Sequence, residues 1–331
     1  MNWFRSRVEG PESRARGEIL ARSASEGLSP RSQAPAWERK SSKLRFAVAL
    51  TTFLLASGVH AAESRRLTTD SRLKHDPVFI NDGKDIVYVC LTRAEQYQML
   101  KLEWDASDAV PTPLHPDETR SELEPAFSPD GRFYAHLQSR SPASVAMLIH
   151  DTKENSVAEI PPAPGFSGMR HPAIAPDNSK VVYAFSETGA QQLFAVTTKA
   201  TDRVQLTDSR GINNWPSYSA DGKWITFGSS RDGNYEIYVM RSDGSDVRRL
   251  TDNPAQDVRP RFSPDGNRTA FTSNRDGNYE IYLVDVASGE LTRFTDHPER
   301  DDYPAWHPSG EWIVTVSERN GRHDLYLHEV E

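Results

Sequence analysis

Six prolines recur along this chain at nearly constant intervals. Pro77, Pro125, Pro172, Pro216, Pro260 and Pro304 are separated by 48, 47, 44, 44 and 44 residues. Around them stand versions of one phrase: DPVFINDG, EPAFSPDG, HPAIAPDN, WPSYSADG, RPRFSPDG and YPAWHPSG. Six units of that length restrict the chain to a propeller or a solenoid. The inside of one unit separates the two. In the fifth, RPRFS reads as a short strand and PDGN as a turn; RTAFTS and NRDGN, YEIYLVD and ASGE repeat that alternation, and LTRFT closes it. Asp-Gly and Ser-Gly pairs supply the positive φ that tight hairpins demand. Four antiparallel strands joined by hairpins make one blade, and no 3.6-residue period interrupts them. The expected fold is all-β, a six-bladed β-propeller with four antiparallel strands per blade, over residues 63–331.

The octapeptide RDGNYEIY occurs at residues 231–238 and again at 275–282, 44 residues later. In this reading it is the turn from the second strand to the third, followed by most of the third strand. Along NYEIYVM, Tyr235, Ile237 and Val239 face one way and Glu236, Tyr238 and Met240 the other. Each blade packs on two neighbours, so apolar and aromatic residues are expected on both faces. The Asp and Gly lack the oxygen-ligand spacing of a calcium loop and read as turn residues.

The sixth unit ends after a third strand, DLYLHEV. Residues 65–69, RRLTT, match the outer-strand segment RRLT at 248–251. The N-terminal strand is therefore expected to complete the last blade, closing the ring and covering two strand edges.

Ahead of that strand, residues 46–59 (FAVALTTFLLASGV) form the longest apolar run, after Lys40, Lys43 and Arg45 and before VHA ending at Ala61. A basic flank, a short apolar core and small residues describe a secretory signal over 43–61, cleaved after Ala61. The run is shorter than the roughly 20 residues of a bilayer span, so no stable membrane span is expected once the signal is removed. Residues 1–42 are polar and aperiodic. They read as a disordered extension; a start of translation nearer Ser41 is the alternative, and the sequence leaves the choice open. Removing residues 1–61 leaves 29 basic against 42 acidic side chains, a net charge of −13. That balance disfavours nucleic acid, whose phosphates need a basic face, and suits neutral or cationic partners. The one cysteine, Cys90 in IVYVCL, reads as a small buried hydrophobe and precludes an intramolecular disulfide.

The phrases FSPDG, RDGNYEIY and RRLTDNP resemble the β-propeller repeats of the TolB family (PD40, WD40-like), over about residues 64–331. The resemblance implies a six-bladed propeller, an exported periplasmic protein and a role in binding other proteins of the cell envelope. The TolB family carries an α/β domain between signal and propeller. Here the propeller is expected to begin within a few residues of Ala61, without that domain.

Catalytic signatures are missing from the sequence. GFSGM, from Gly165, lacks the last glycine of G-x-S-x-G; there is no H-E-x-x-H and no phosphate-cradling glycine loop. His323 and His328, five apart on one expected strand, should face opposite ways. Where the copies disagree is more informative. Asp76, Glu124, His171, Trp215, Arg259 and Tyr303 precede the shared prolines and differ in every unit. They are expected at the start of the innermost strands, as a ring of six side chains at one channel mouth. Such a ring suits a ligand or a protein loop, or is simply a solvated rim. The favoured function is a periplasmic, monomeric, non-catalytic protein-interaction module with an envelope partner. The alternative is a carbohydrate-active lyase or hydrolase, or a sugar-binding propeller, using His171 and Arg259 with Asp76 or Glu124. A third reading is an accessory domain for a separate hydrolase. No catalytic residue, metal ligand set or cofactor is identified, and whether a cation sits in the channel is left open.

Overall fold

The protein is described by a computed structural model covering residues 64–330 except 94–95, 164–167 and 188. The expected extension 1–42 and signal segment 43–61 lie outside the described residues. Among the described residues, twenty-four strands form six sheets of four, all pairings antiparallel. In the first five blades the strands follow chain order from the inside outward. The fifth runs Asp257–Phe262, Arg268–Ser273, Glu280–Asp285 and Leu291–Arg293.

Each sheet buries both faces because each stands between two others. Six apolar clusters occupy the six joints. The largest joins the second and third blades through Leu137, Met147 and Ile149 against Val181, Tyr183 and Phe194. The octapeptide shows the principle in one strand. Ile237 packs toward the fifth blade with Phe271 and Tyr282, while Tyr238 and Met240 pack toward the third with Val182 and Leu193. Cys90 is fully buried in the cluster joining the sixth and first blades, and burial pushes its thiol up to about 11.

The polar residues of the octapeptide serve the same scaffold in both copies. Arg231 donates to Ser229 Oγ (2.9 Å) and Asn213 Oδ1 (2.9 Å); Arg275 donates to Ser273 Oγ (3.0 Å) and Asp257 Oδ2 (2.7 Å). Asp232 and Asp276 accept from the hydroxyls of Tyr238 and Tyr282. Asn234 and Asn278 tie the turn to the following connection through carbonyls of Asn253 and His297, at 2.6 and 2.7 Å. Gly233 and Gly277, at φ +118° and +113°, take a conformation that side chains resist.

The ring closes through the chain ends. Ser64–Arg66 pairs antiparallel with Arg322–Glu329, Arg65 opposite Leu327, and is the fourth strand of the last blade. Leu67 N–H continues the ladder to Leu325 O at 2.8 Å. Beneath it, Asp324 accepts from Thr68 Oγ1 (2.8 Å), Arg66 (2.6 Å) and the Lys74 ammonium (3.2 Å), with Asp324 and Lys74 both buried. Thr68 and Asp324 thus pin the closing strand, and Lys74 joins them to the inner strand of the first blade. Burial opposes ionisation of Asp324, but the bonds from Thr68 and Arg66 and the nearby Lys74 outweigh it and hold the carboxyl below its ordinary range.

Removing Asp324 leaves the buried Thr68 hydroxyl without its acceptor and takes one of two carboxylates from the Lys74 ammonium, which keeps Asp70 and the carbonyls of Arg72 and His323. Asp324→Ala should cost about 1–3 kcal/mol in urea unfolding. Asp105→Ala, which removes the exposed partner of Arg65, should change stability by less than about 1 kcal/mol. A depressed carboxyl stabilises the fold above the unfolded-chain pKa of about 4 and loses that contribution as pH falls further. Acidification should therefore narrow the gap between the wild type and Asp324→Ala.

Candidate functional site

Every inner strand carries the same irregularity. The pairing of inner and second strands shifts register at His75/Val78, Leu123/Ala126, Arg170/Ala173, Asn214/Ser217, Val258/Arg261 and Asp302/Ala305. The residue inside each bulge is the one before the shared proline. Asp76, Glu124, His171, Trp215, Arg259 and Tyr303 all have φ between +48° and +54°. A residue before proline normally prefers extended backbone, and a side chain at positive φ is strained. A bulge re-aims its side chain out of the pleat. Neighbouring groups fasten several of these backbones. Trp215 N–H donates to Asn214 Oδ1 (2.9 Å), Tyr303 N–H to Asp302 Oδ1 (2.8 Å), and His171 N–H to Glu124 Oε2 (2.5 Å).

The six are the second or third residues of their strands and none is exposed. Asp76 and Glu124 are buried, and the other four are partly buried. The six thus lie near the starts of the inner strands, and the bulges turn their side chains toward one another, two of them buried and four partly open to solvent.

Their contacts run from blade to blade. Arg259 lies 4.1 Å over the Tyr303 ring and donates to Tyr303 Oη (3.1 Å) and Asp302 (3.3 Å). On its other side it stands 5.6 Å from Trp215, whose indole is 5.6 Å from the His171 ring. Trp215 covers Gly228, where a Cβ would come within 2.8 Å of the indole. His171 bonds Asn214 Oδ1 through Nδ1 (2.7 Å), and its Nε2 lies 3.6 Å from Glu124. Glu124 also accepts from Arg170 at 3.1 Å. His75 contacts the Asp76 carboxylate (2.7 Å) and stands 6.1 Å from the Tyr303 ring.

The charges are strongly coupled. Burial pushes Asp76 up, but the His75 bond and the charges of His75, His171 and Arg261 drive its carboxyl far below the usual range. Burial lowers His171 despite Glu124 and Asp76. Burial opposes the Arg259 charge, and Asp302, Tyr303 and Asp76 more than restore it. The site therefore holds fixed charges of both signs, with aromatic faces between them.

Several members were not singled out in the sequence: His75, Arg170, Asn214, Asp302 and Arg261. Arg261 had a signal. The residue after each shared proline is Val78, Ala126, Ala173, Ser217, Arg261 or Ala305, five small or uncharged residues and one arginine. Asp76 and Arg261 line a cavity of about 260 Å³ together with the partly buried Tyr218 and the buried Phe262 and Trp306. A wider recess of about 1080 Å³ over the first three blades is lined by Arg120, Arg140 and Arg170, the last adjoining His171 in the chain. Among the described residues, the histidines and acids that gather closely enough to share an ion are His115, Glu122 and His136, outside this ring.

The model of the TolB beta propeller domain matches residues 116–259. TolB from Acinetobacter baumannii superposes with a TM-score of 0.61 at 22% identity, over 76% of this chain and 65% of that one. This chain has a TolB-like β-propeller fold. The putative TolB from Agrobacterium tumefaciens gives 0.62 at 21% identity, over 81% and 94%. The chain thus spans just under two thirds of the Acinetobacter protein and nearly all of the Agrobacterium one. The last blades of the TolB-like propeller, residues 240–330, also match the Tricorn protease N-terminal beta propeller domain. An oligogalacturonate lyase in complex with manganese superposes at 0.58 and 14% identity, over 82% and 93%. At these identities the likeness to solved structures is one of fold. No curated protein sequence matches the chain. Among the described residues no helix is long and apolar enough to cross a membrane.

The positive φ at Trp215 gives a test of the bulge. Trp215→Ile and Trp215→Asn both remove the indole, but a β-branched residue tolerates this backbone far less than Asn. Trp215→Ile should be less stable than Trp215→Asn by about 1–2 kcal/mol in urea unfolding.

Proposed function

We propose that this TolB-like propeller is an exported, periplasmic, non-catalytic module that binds a protein partner of the cell envelope through its ring and the recess beside it. The carrying observation is the composition of the ring. Trp215, Tyr303 and Arg259 are the residue types that dominate binding energy at protein interfaces, and here they are held rigidly and partly shielded from water. Rigid side chains lose little freedom on binding. The charged members are already neutralised by one another, which suits recognition better than proton transfer. Arg140 and Arg170 of the recess are already paired with Glu159 and Glu124, and the chain beyond Ala61 is acidic, so the recess suits a neutral or cationic partner segment. The exported location rests on the signal-like segment 43–61 and on the resemblance to TolB.

The test is capture of envelope proteins on the immobilised propeller, comparing wild type with Arg259→Ala and Trp215→Ala. A specific envelope protein should be retained by wild type at moderate salt, and each variant should weaken its binding by more than about tenfold. Failure to retain any protein at low or moderate salt would sink the reading.

A second reading is favoured by the cavity beside Arg261. Tyr218 lines it beside the charged Asp76 and Arg261, over a floor formed with the buried Phe262 and Trp306, an arrangement that fits an acidic oligosaccharide. Saturable binding of an acidic oligosaccharide, lost in Arg261→Ala, would favour it over a protein partner.

A further inference from the structure

The joint between the first and second blades departs from the pattern that most of the joints share. At four of the six joints the chain leaving a blade carries a threonine: Thr68, Thr207, Thr251 or Thr295. Its hydroxyl donates to Asp324, Gln192, Glu236 or Glu280, and accepts the next backbone N–H, of Leu325, Leu193, Ile237 or Ile281, at 2.9–3.0 Å. After the first blade that position is His115. The corresponding N–H, of Met99, turns instead to Glu122 Oε2 at 3.4 Å.

Three further substitutions meet His115 there. Where four other blades place Tyr88, Tyr183, Phe227 or Phe271 in the second strand, the second blade places His136. On the neighbouring strand stands His150, and opposite it Tyr134. His115 Nδ1 contacts Glu122 Oε1, and His115 Nε2 bonds the Tyr134 hydroxyl at 2.9 Å. Glu122 Oε1 lies 3.6 Å from His136 Nε2. His115, Glu122 and His136 each offer a ligand atom, all within 4.8 Å of one another.

The decisive feature is what His136 lacks. Its side chain is 1% exposed, and neither ring nitrogen has a hydrogen-bond partner; His150 Nε2 is also buried and unpartnered. Buried polar atoms without partners are rare and call for an explanation. The sixth blade shows the ordinary solution. His328, at the position of His150, bonds Thr315 at 2.9 Å, and Thr315 stands where the second blade has His136.

We propose that His115, Glu122 and His136 bind a divalent transition metal, zinc by its ligand chemistry, with the fourth position beside His150. Two imidazoles and a carboxylate are a common zinc set. Zinc–ligand bonds of about 2.0–2.1 Å in a tetrahedron separate neighbouring donors by about 3.3 Å, close to the 3.6 Å from Glu122 Oε1 to His136 Nε2. Tyr134 orients His115, with its hydroxyl on the nitrogen that does not face Glu122. The metal's role is to clamp two blades. Glu122 and His136 belong to the second blade, and His115 to the connection from the first. At this joint the fully buried apolar residues, Val87, Val89 and Met99, come from the first blade alone among the described residues.

The test is titration of the tag-free, chelator-treated full chain with Zn2+ alone, against a chromophoric competitor and with the Tm recorded. Wild type should take up one equivalent at this site with a rise in Tm. His136→Phe installs the aromatic of the fourth and fifth blades, so it should keep the fold and lose that equivalent, with affinity falling about 100-fold or more; Tyr134→Phe should weaken it about tenfold. Should His136→Phe fail to fold, Glu122→Gln must show the same loss. A wild type that takes up no zinc, or a folded His136→Phe that binds it unchanged, overturns the proposal.

Discussion

A ring of sheets is continuous only if its two chain ends meet, and here they meet within a single blade. The three residues Ser64–Arg66 supply the strand that the last blade lacks. So short a ladder is weak by itself, and a buried polar group reinforces it. Asp324 gathers Thr68, Arg66 and Lys74, from the closing strand and from the first blade. Without that junction, the sixth and first blades would each expose a face, and the cluster of Phe79, Ile86 and Cys90 against Val314, Leu325 and Leu327 would open to water. At the other five joints the outer strand of one blade is continuous in the chain with the rest of that blade.

The same polar junction recurs elsewhere, which makes the exception between the first two blades informative. Threonine and a carboxylate or amide satisfy each other and a backbone N–H at four joints. Such a set is neutralised locally and fits within a packed interface. Replacing it with three histidines, a glutamate and a tyrosine leaves nitrogen atoms with nothing to bond. The repeat thus supplies its own control: identical backbone, two chemistries, and only one of them complete within the chain.

The inner strands show a second use of repetition. One bulge made six times spreads backbone strain around the ring and turns six side chains toward one another. Because the backbone is common, the difference among Asp, Glu, His, Trp, Arg and Tyr is free to define a surface. The residues before the prolines were legible from the sequence, since a repeat aligned on itself exposes the positions where copies disagree. Their depth was not: nothing in HPAI or WPSY announces a bulge. Their partners were legible only in part. Arg261 stands out among small residues, whereas His75, Asn214 and Asp302 matter through contacts with neighbouring groups that chain order does not display.

Periodic turn chemistry and alternating apolar strands determine, from the sequence alone, that this chain makes six four-stranded blades and that RRLTT finishes the last. Those signals are local, or repeat often enough to be read by comparing the chain with itself. Only the tertiary structure decided which unlike residues meet. Glu122 reaches His136 14 residues away, and Asp76 feels Arg261 from four blades on, because packing sheets around an axis converts sequence distance into proximity. Electrostatics and ligation depend on separations of a few ångströms, a quantity that no spacing along the chain contains.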